Sequence, residues 1–180
     1  MLIYLLIVTI PVSTGALLYM RREYRVRGRL TLIGLTLCAL MLFLPNLMLH
    51  YATYFELPTT VTDFIGAGIS LAGLTLCIVG IVVFHQVLKV VGLKTGTLAV
   101  AGPYRWGRNP QYVGWFFFLL GYAIMDWSAW CLAAMIVVTV CLHCTVLIEE
   151  EHLRRTFGAQ YDEFCRKIPR YVGRNRKSHD

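Results

Sequence analysis

Charge is scarce in this chain. Only 15% of its 180 residues are Asp, Glu, Lys or Arg, against about 25% in soluble domains. The 57% hydrophobic content is correspondingly above the usual value of about 45–50%. A separate soluble catalytic domain is not expected within these 180 residues, because so short and apolar a stretch is used up by membrane-length helices and a few polar loops. Acidic residues are scarcer still, ten against 17 Lys and Arg. The stretch from Val113 to Ile148 holds one charged side chain, Asp126. The first apolar run has no basic residues before it and several after it, the reverse of a cleaved signal. The six cysteines show no extracellular framework spacing and sit mostly inside apolar runs, as reduced thiols used like small apolar residues. Cys141-Leu-His-Cys144 offers too few ligands on one helical turn for a metal, and none is expected.

What is present is a succession of apolar runs. Leu2–Met20, interrupted by Pro11, and Leu30–Leu49 have the length of membrane spans. A loop from His50 to Asp63 without Lys or Arg precedes a third span, Phe64–Phe84. In that span Gly66, Gly68, Ser70, Ala72 and Gly73 give the small-residue spacing that lets helix backbones approach closely. Lys89–Asn109 reads as a polar loop. Pro110 fits the first turn of a fourth helix, where its missing N–H costs nothing. Gln111–Met125 is short, Asp126 makes a turn, and Trp127–Ile148 is the fifth span, so the last two form a short hairpin. From His152 onward Leu153, Phe157, Tyr161, Phe164 and Ile168 fall near one face of an amphipathic helix, with Arg154, Arg155, Arg166 and Lys167 around it. The expected fold is thus all-α integral membrane, about five transmembrane helices in a single membrane domain. Residues 1–63 form two N-terminal helices and an outer loop, 64–172 a core, and 173–180 a disordered tail.

The net charge of +7 would suggest nucleic acid in a soluble chain, but its placement argues against that partner. Five Lys/Arg lie between the first two spans, four in Lys89–Arg108 and eight in the tail, whereas the opposite loops carry Glu56, Asp63 and Asp126 alone. By the positive-inside rule this predicts a multi-pass protein with its N-terminus outside and its C-terminus in the cytoplasm.

Two polar stretches stand out against this background. Gly102-Pro-Tyr-Arg-Trp-Gly-Arg-Asn-Pro-Gln-Tyr112 runs straight into the fourth helix, and Glu149, Glu150 and Glu151 close the fifth. A hairpin between them would return both to the cytoplasmic surface. Three acids at a helix C-terminus oppose the helix dipole, so a positive partner is expected: Arg108, the basic tail or a cationic ligand.

The pattern G-P-Y-x-x-x-R-N-P-x-Y, a hydrophobic hairpin, then E-E-x-x-L-x-x-x-F-G-x-x-Y resembles the integral-membrane methyltransferases of the isoprenylcysteine carboxyl methyltransferase and phospholipid methyltransferase group. The resemblance covers about Phe84 to Tyr171. It implies S-adenosylmethionine as methyl donor, S-adenosylhomocysteine as product, and a lipidic acceptor met at the cytoplasmic face. Carried over by motif position, Tyr104, Arg108, Asn109, Pro110, Gln111, Tyr112, Glu149 and Glu150 would line the cofactor. Gly96, Thr97, Leu98, Ala99 and Val100 would run along its adenosine. Arg108, Glu149 and Glu150 would act on the reaction by positioning and electrostatics. Soluble methyltransferases use a sheet with a glycine-rich turn, which nothing here could build, so the cofactor would sit among helices and loops.

The chemistry of the residues agrees with that implication. A glutamate can take the donor's ammonium, and Arg108 with Tyr112 or Asn109 its carboxylate, through charge-assisted hydrogen bonds. Where the family has histidine, this chain has Asn109, which cannot exchange a proton near neutral pH. A carboxylate acceptor needs no base and an ammonium acceptor does, so the substitution tilts toward carboxyl methylation, as on a prenylcysteine, over a phospholipid amine. Two other functions fit the same outline. Membrane reductases of the sterol type also close with a short hairpin and would require NADPH. A non-enzymatic helical bundle would bind neither nucleotide.

Overall fold

The computed structural model describes residues 2–52, 59–91 and 102–173, with the side chains of 2–6, 48–52 and 84–91 left aside. Six α-helices and one 3₁₀ turn make up the described chain: α1 Leu2–Arg27, α2 Leu32–Ala52, α3 Val61–Val91, the turn Gly102–Arg105, α4 Pro110–Met125, α5 Ala129–Phe157 and α6 Ala159–Lys167. Two of them, α3 over Val61–Val83 and α5, are long and apolar enough to cross a membrane. At 16 residues, α4 reaches only about 24 Å, as its sequence predicts. The 29 residues of α5 reach about 44 Å, well beyond a hydrocarbon core of about 30 Å.

The helices are longer than the apolar runs that seed them. α1 continues through the arginines to Arg27, and α3 continues past Lys89, where a loop is expected, to Val91. Straight-chain basic residues are good helix formers, so charge ends a span without ending a helix. Gly28, with φ 64°, supplies the left-handed residue that stops α1. Thr31 then caps α2, its Oγ1 accepting the Gly34 N–H at 3.3 Å. Thr60 and Asp63 form a reciprocal capping box for α3: Asp63 accepts the Thr60 N–H at 2.8 Å, and Thr60 Oγ1 accepts that of Asp63 at 3.2 Å. Ser128 does the same duty for α5 by accepting the Cys131 N–H at 3.1 Å.

The chain divides into two compact units, Met1–Ala67 with Tyr122–His152, and Gly68–Gly121 with Leu153–Asp180. In the first, α1, α2 and α5 share a core of Ala16, Met41 and Cys141, with Leu17, Leu37, Leu42 and Val137 against it. Met41, among the largest fully buried side chains, fills the space that the small Ala16 and Cys141 leave between these helices. Cys38, Cys77, Cys131, Cys141, Cys144 and Cys165 are all free thiols.

In the second unit α3 and α4 touch backbone to backbone. A Cβ on Gly114 would lie 2.5 Å from the Cys77 nitrogen and 2.6 Å from the Gly73 oxygen, and one on Gly80 would lie 2.9 Å from the Gln111 nitrogen. The close approach lets Ser70 Oγ donate to the Phe118 carbonyl at 3.0 Å. The buried stripe of α3 in this unit is therefore Ser70, Gly73, Cys77 and Gly80. Its spacing of three and four residues keeps one face turned inward. Gly68 and Ala72, which share the small-residue spacing in the sequence, are exposed instead.

Candidate active site

The loop that carries the arginine motif is held by the C-terminal segment of its own unit. Arg108 donates its backbone N–H to the Pro169 carbonyl at 2.9 Å, and Gly173 donates to the Trp106 carbonyl at 3.1 Å. Asn109 Nδ2 donates to the Arg170 carbonyl at 3.1 Å. These three bonds tie 106–109 to 169–173 running in opposite directions, so the tail straps the loop. Gly107 is where the two backbones meet, because the Tyr171 carbonyl occupies the space a Cβ would need. No side chain larger than hydrogen fits there without moving the strap. The sequence signal for this contact is only a glycine beside the motif arginine, and it passes unnoticed without the strap.

Each loop residue has a defined place. Arg108 is half-buried, with its guanidinium carbon 6.0 Å from the centroid of the Tyr161 ring on α6, the outer limit of a cation–π contact. Tyr161 is itself 2% exposed, and with Phe164 at 6.2 Å between ring centroids it forms a low-dielectric floor for the cation. Asn109 is 8% exposed and starts α4 by offering its carbonyl to the N–H groups of Tyr112 and Val113. Preceding a proline, it is held out of the helical region, while its side-chain amide faces the strap. Pro110 occupies the first position of α4 and is buried.

Tyr104, 6% exposed, donates its hydroxyl to the Gly80 carbonyl at 3.2 Å and lies 3.0 Å from Gln111 Oε1. One phenolic proton serves one acceptor, so with Gly80 as acceptor Gln111 is satisfied by turning its amide to donate. The pair anchors the start of the loop to α3. Gly96, Thr97, Leu98, Ala99 and Val100, expected along an adenosine, lie outside the described residues.

The glutamates belong to the other unit. They are not at a helix end: α5 runs on past them to Phe157, with Arg154 and Arg155 in its last turn. The expected conflict with the helix dipole therefore does not arise, since these terminal arginines complement it. Glu150 is 4% exposed and Glu149 is half-buried. Glu151 has a partner that the motifs do not announce. Arg21 Nε reaches its Oε2 at 3.0 Å, and Arg25 reaches Oε1 with Nη2 at 2.7 Å and Nε at 3.1 Å. Beside this pair Tyr24 stacks on His152, with centroids 4.4 Å apart and planes 15° from parallel. Spacing could have flagged these arginines, because Arg21 and Arg25 are four apart and share a helix face.

Glu23 on the same helix is 4% exposed. It accepts the Thr31 N–H and hydroxyl, both at 2.6 Å, and pairs with Arg27 at 2.9 Å. Burial opposes its charge, but the two Thr31 bonds and Arg27 outweigh that effect and hold its carboxyl below the ordinary range. Its role is to lock the α1–α2 turn. Beyond Gly158, where φ is 54° and the predicted tail helix is broken, Lys167 pairs with Glu163 at 2.6 Å along α6 and lowers that carboxyl as well.

A family model described as phospholipid methyltransferase matches residues 64–160, more than half of the chain. Among curated proteins, the human protein-S-isoprenylcysteine O-methyltransferase is 32% identical over 88 residues, 48% of this chain and 31% of the relative. The Xenopus laevis protein of the same name is 30% identical over 87 residues, 48% of this chain and 30% of the relative. That of Tribolium castaneum is 28% identical over 108 residues, 53% and 38% of the two chains. The matched part thus spans about a third of the length of these relatives. No solved structure matches the chain significantly.

Proposed function

The chain belongs to the phospholipid methyltransferase family, and on that footing we propose that it is a membrane-embedded carboxyl O-methyltransferase using S-adenosylmethionine, with a prenylcysteine as acceptor. The observation that carries the acceptor is the 30–32% identity to proteins named isoprenylcysteine O-methyltransferases over 48% of the chain. The donor's amino-acid end bears an ammonium and a carboxylate, and the chain offers the complementary charges: a buried carboxylate, Glu150, and a half-buried guanidinium, Arg108. When bound, the donor supplies a methyl group on a sulfonium, which departs as a thioether as a carboxylate oxygen of the acceptor takes the methyl.

In this proposal the chain's own groups bind and orient. Arg108 holds the donor's carboxylate, with Tyr112 beside it on the first turn of α4. Glu149 and Glu150 hold the ammonium. The strap from Pro169 to Gly173 fixes the loop from which Arg108 projects, so little reorganisation accompanies binding. Asn109, standing where the family has histidine, spends its amide on the Arg170 carbonyl. A base at that position is unnecessary for a carboxylate acceptor, which arrives already ionised at neutral pH. The donor site faces the cytoplasm, in a protein that crosses the membrane five times with its N-terminus outside. The basic clustering along the sequence supports this topology.

The test is methyl transfer from donor labelled in the methyl group. The detergent-solubilised protein is offered a farnesylated cysteine with a free α-carboxylate, the same compound as its methyl ester, or vesicles of phosphatidylethanolamine. Label should enter only the free acid and return as volatile methanol in alkali, as an ester does. Label fixed in an alkali-stable product from the vesicles would instead establish an amine acceptor.

A further inference from the structure

The part of the chain before residue 64 lies outside the family match, yet α1 reaches the glutamates of α5 within one compact unit. Both oxygens of Glu151 are engaged, each by a guanidinium from a different turn of α1. Beside this clamp Tyr24, between the two arginines in sequence, stacks on His152, the residue after Glu151. Burial pushes the Tyr24 phenol up and the Glu149 carboxylate adds to the shift, so α1 also lies within reach of Glu149's field.

Exposed ion pairs contribute little to stability, and Arg21 and Arg25 are roughly half exposed, at 49% and 44%. Two guanidiniums on one carboxylate give directional specificity instead. Pinning Glu151 from two turns, with the Tyr24–His152 stack beside it, fixes the rotation of α5 about its own axis. The carboxylates stand about 5–6 Å from that axis, so a turn of about 10° moves them by about 1 Å.

From this we propose that Arg21 and Arg25 are positioning residues, which hold Glu149 and Glu150 in place for the donor's ammonium by fixing Glu151. The proposal rests on the function proposed above, in which those two glutamates receive the donor. A displacement of about 1 Å at such a site costs up to about a hundredfold.

The test measures the S-adenosylhomocysteine Kd by titrated thermal unfolding of the full chain in detergent, alongside the Tm without ligand. Glu151→Gln keeps the shape and removes the charge; Arg25→Ala removes the larger share of the clamp. Exposed Arg22→Ala, a neighbour on the same helix, controls for lost positive charge. Glu151→Gln and Arg25→Ala should each weaken binding between about tenfold and about a hundredfold, with ligand-free Tm close to that of Arg22→Ala. The double variant should be no worse than either alone, because both break one contact. Kd values equal to the Arg22→Ala control, or losses that multiply in the double variant, would overturn the positioning role and leave the cofactor site standing. Absence of saturable stabilisation in the unmutated chain would remove the cofactor site and the positioning role together.

Discussion

Substituting Gly114 by alanine tests the packing that brings α3 to the motif helix. The added methyl would lie 2.5 Å from the Cys77 nitrogen and 2.6 Å from the Gly73 oxygen, where ordinary contact is 3.4–4 Å. Both obstacles are backbone atoms of α3, so no rotamer change relieves them and the helices must part by about 1 Å. A separation of that size stretches the Ser70–Phe118 hydrogen bond, 3.0 Å long, beyond bonding distance. Overpacking costs about 1–3 kcal/mol, and the lost bond adds about 1 kcal/mol. The better helix propensity of alanine returns about 1 kcal/mol. The net loss is about 1–3 kcal/mol, a fall in Tm of roughly 5 °C for a chain of this size. Gly68→Ala is the matched control on α3, since a Cβ there meets nothing within 4 Å. Thermal unfolding of both variants in the same detergent decides the matter. Equal Tm values would refute the backbone contact between α3 and α4.

Gly107→Ala should displace the strap by putting a methyl where the Tyr171 carbonyl lies; limited proteolysis of the tail should then cut faster than in the unmutated chain. Tyr104→Phe removes a buried hydroxyl from the Gly80 carbonyl and Gln111. It should lower stability by about 1–2 kcal/mol, read as a shift in Tm, and an unchanged Tm would deny that anchor. Glu23 has a folded pKa below its ordinary 4.5, so its stabilisation is complete above that value and is lost as pH falls through the lower folded one. The Tm gap between the unmutated chain and Glu23→Gln should accordingly be widest near neutrality and close as pH falls below 4.5 and through the lower folded value.

Much of this molecule was legible because its helices are apolar runs separated by turn chemistry. Pro110, Asp126 and the short fourth helix fall where the sequence places them. The helix ends were less legible: hydropathy reports where a membrane ends, whereas Arg21–Arg27 and Lys89 favour continuing the helix. The same overrun removed the supposed dipole conflict at Glu149–Glu151, which lie inside α5. The inward face of α3 needed the partner helix, since Gly68 and Gly73 look alike until α4 packs on one of them. Long-range polar pairings were the least visible. Arg21 and Arg25 are separated from Glu151 by 130 and 126 residues, and Asn109 from Arg170 by 61. No local pattern encodes such distances.

The most direct measurement is the melting temperature of the detergent-purified protein against S-adenosylhomocysteine concentration, with NADPH in parallel. A ligand that binds only the folded state stabilises it by about 2.7 kcal/mol at a hundredfold excess over its Kd. The proposed function predicts a saturable rise with S-adenosylhomocysteine that is lost in Arg108→Ala and in Glu150→Ala, and no rise with NADPH. A flat response to millimolar S-adenosylhomocysteine, or a rise with NADPH alone, would contradict it.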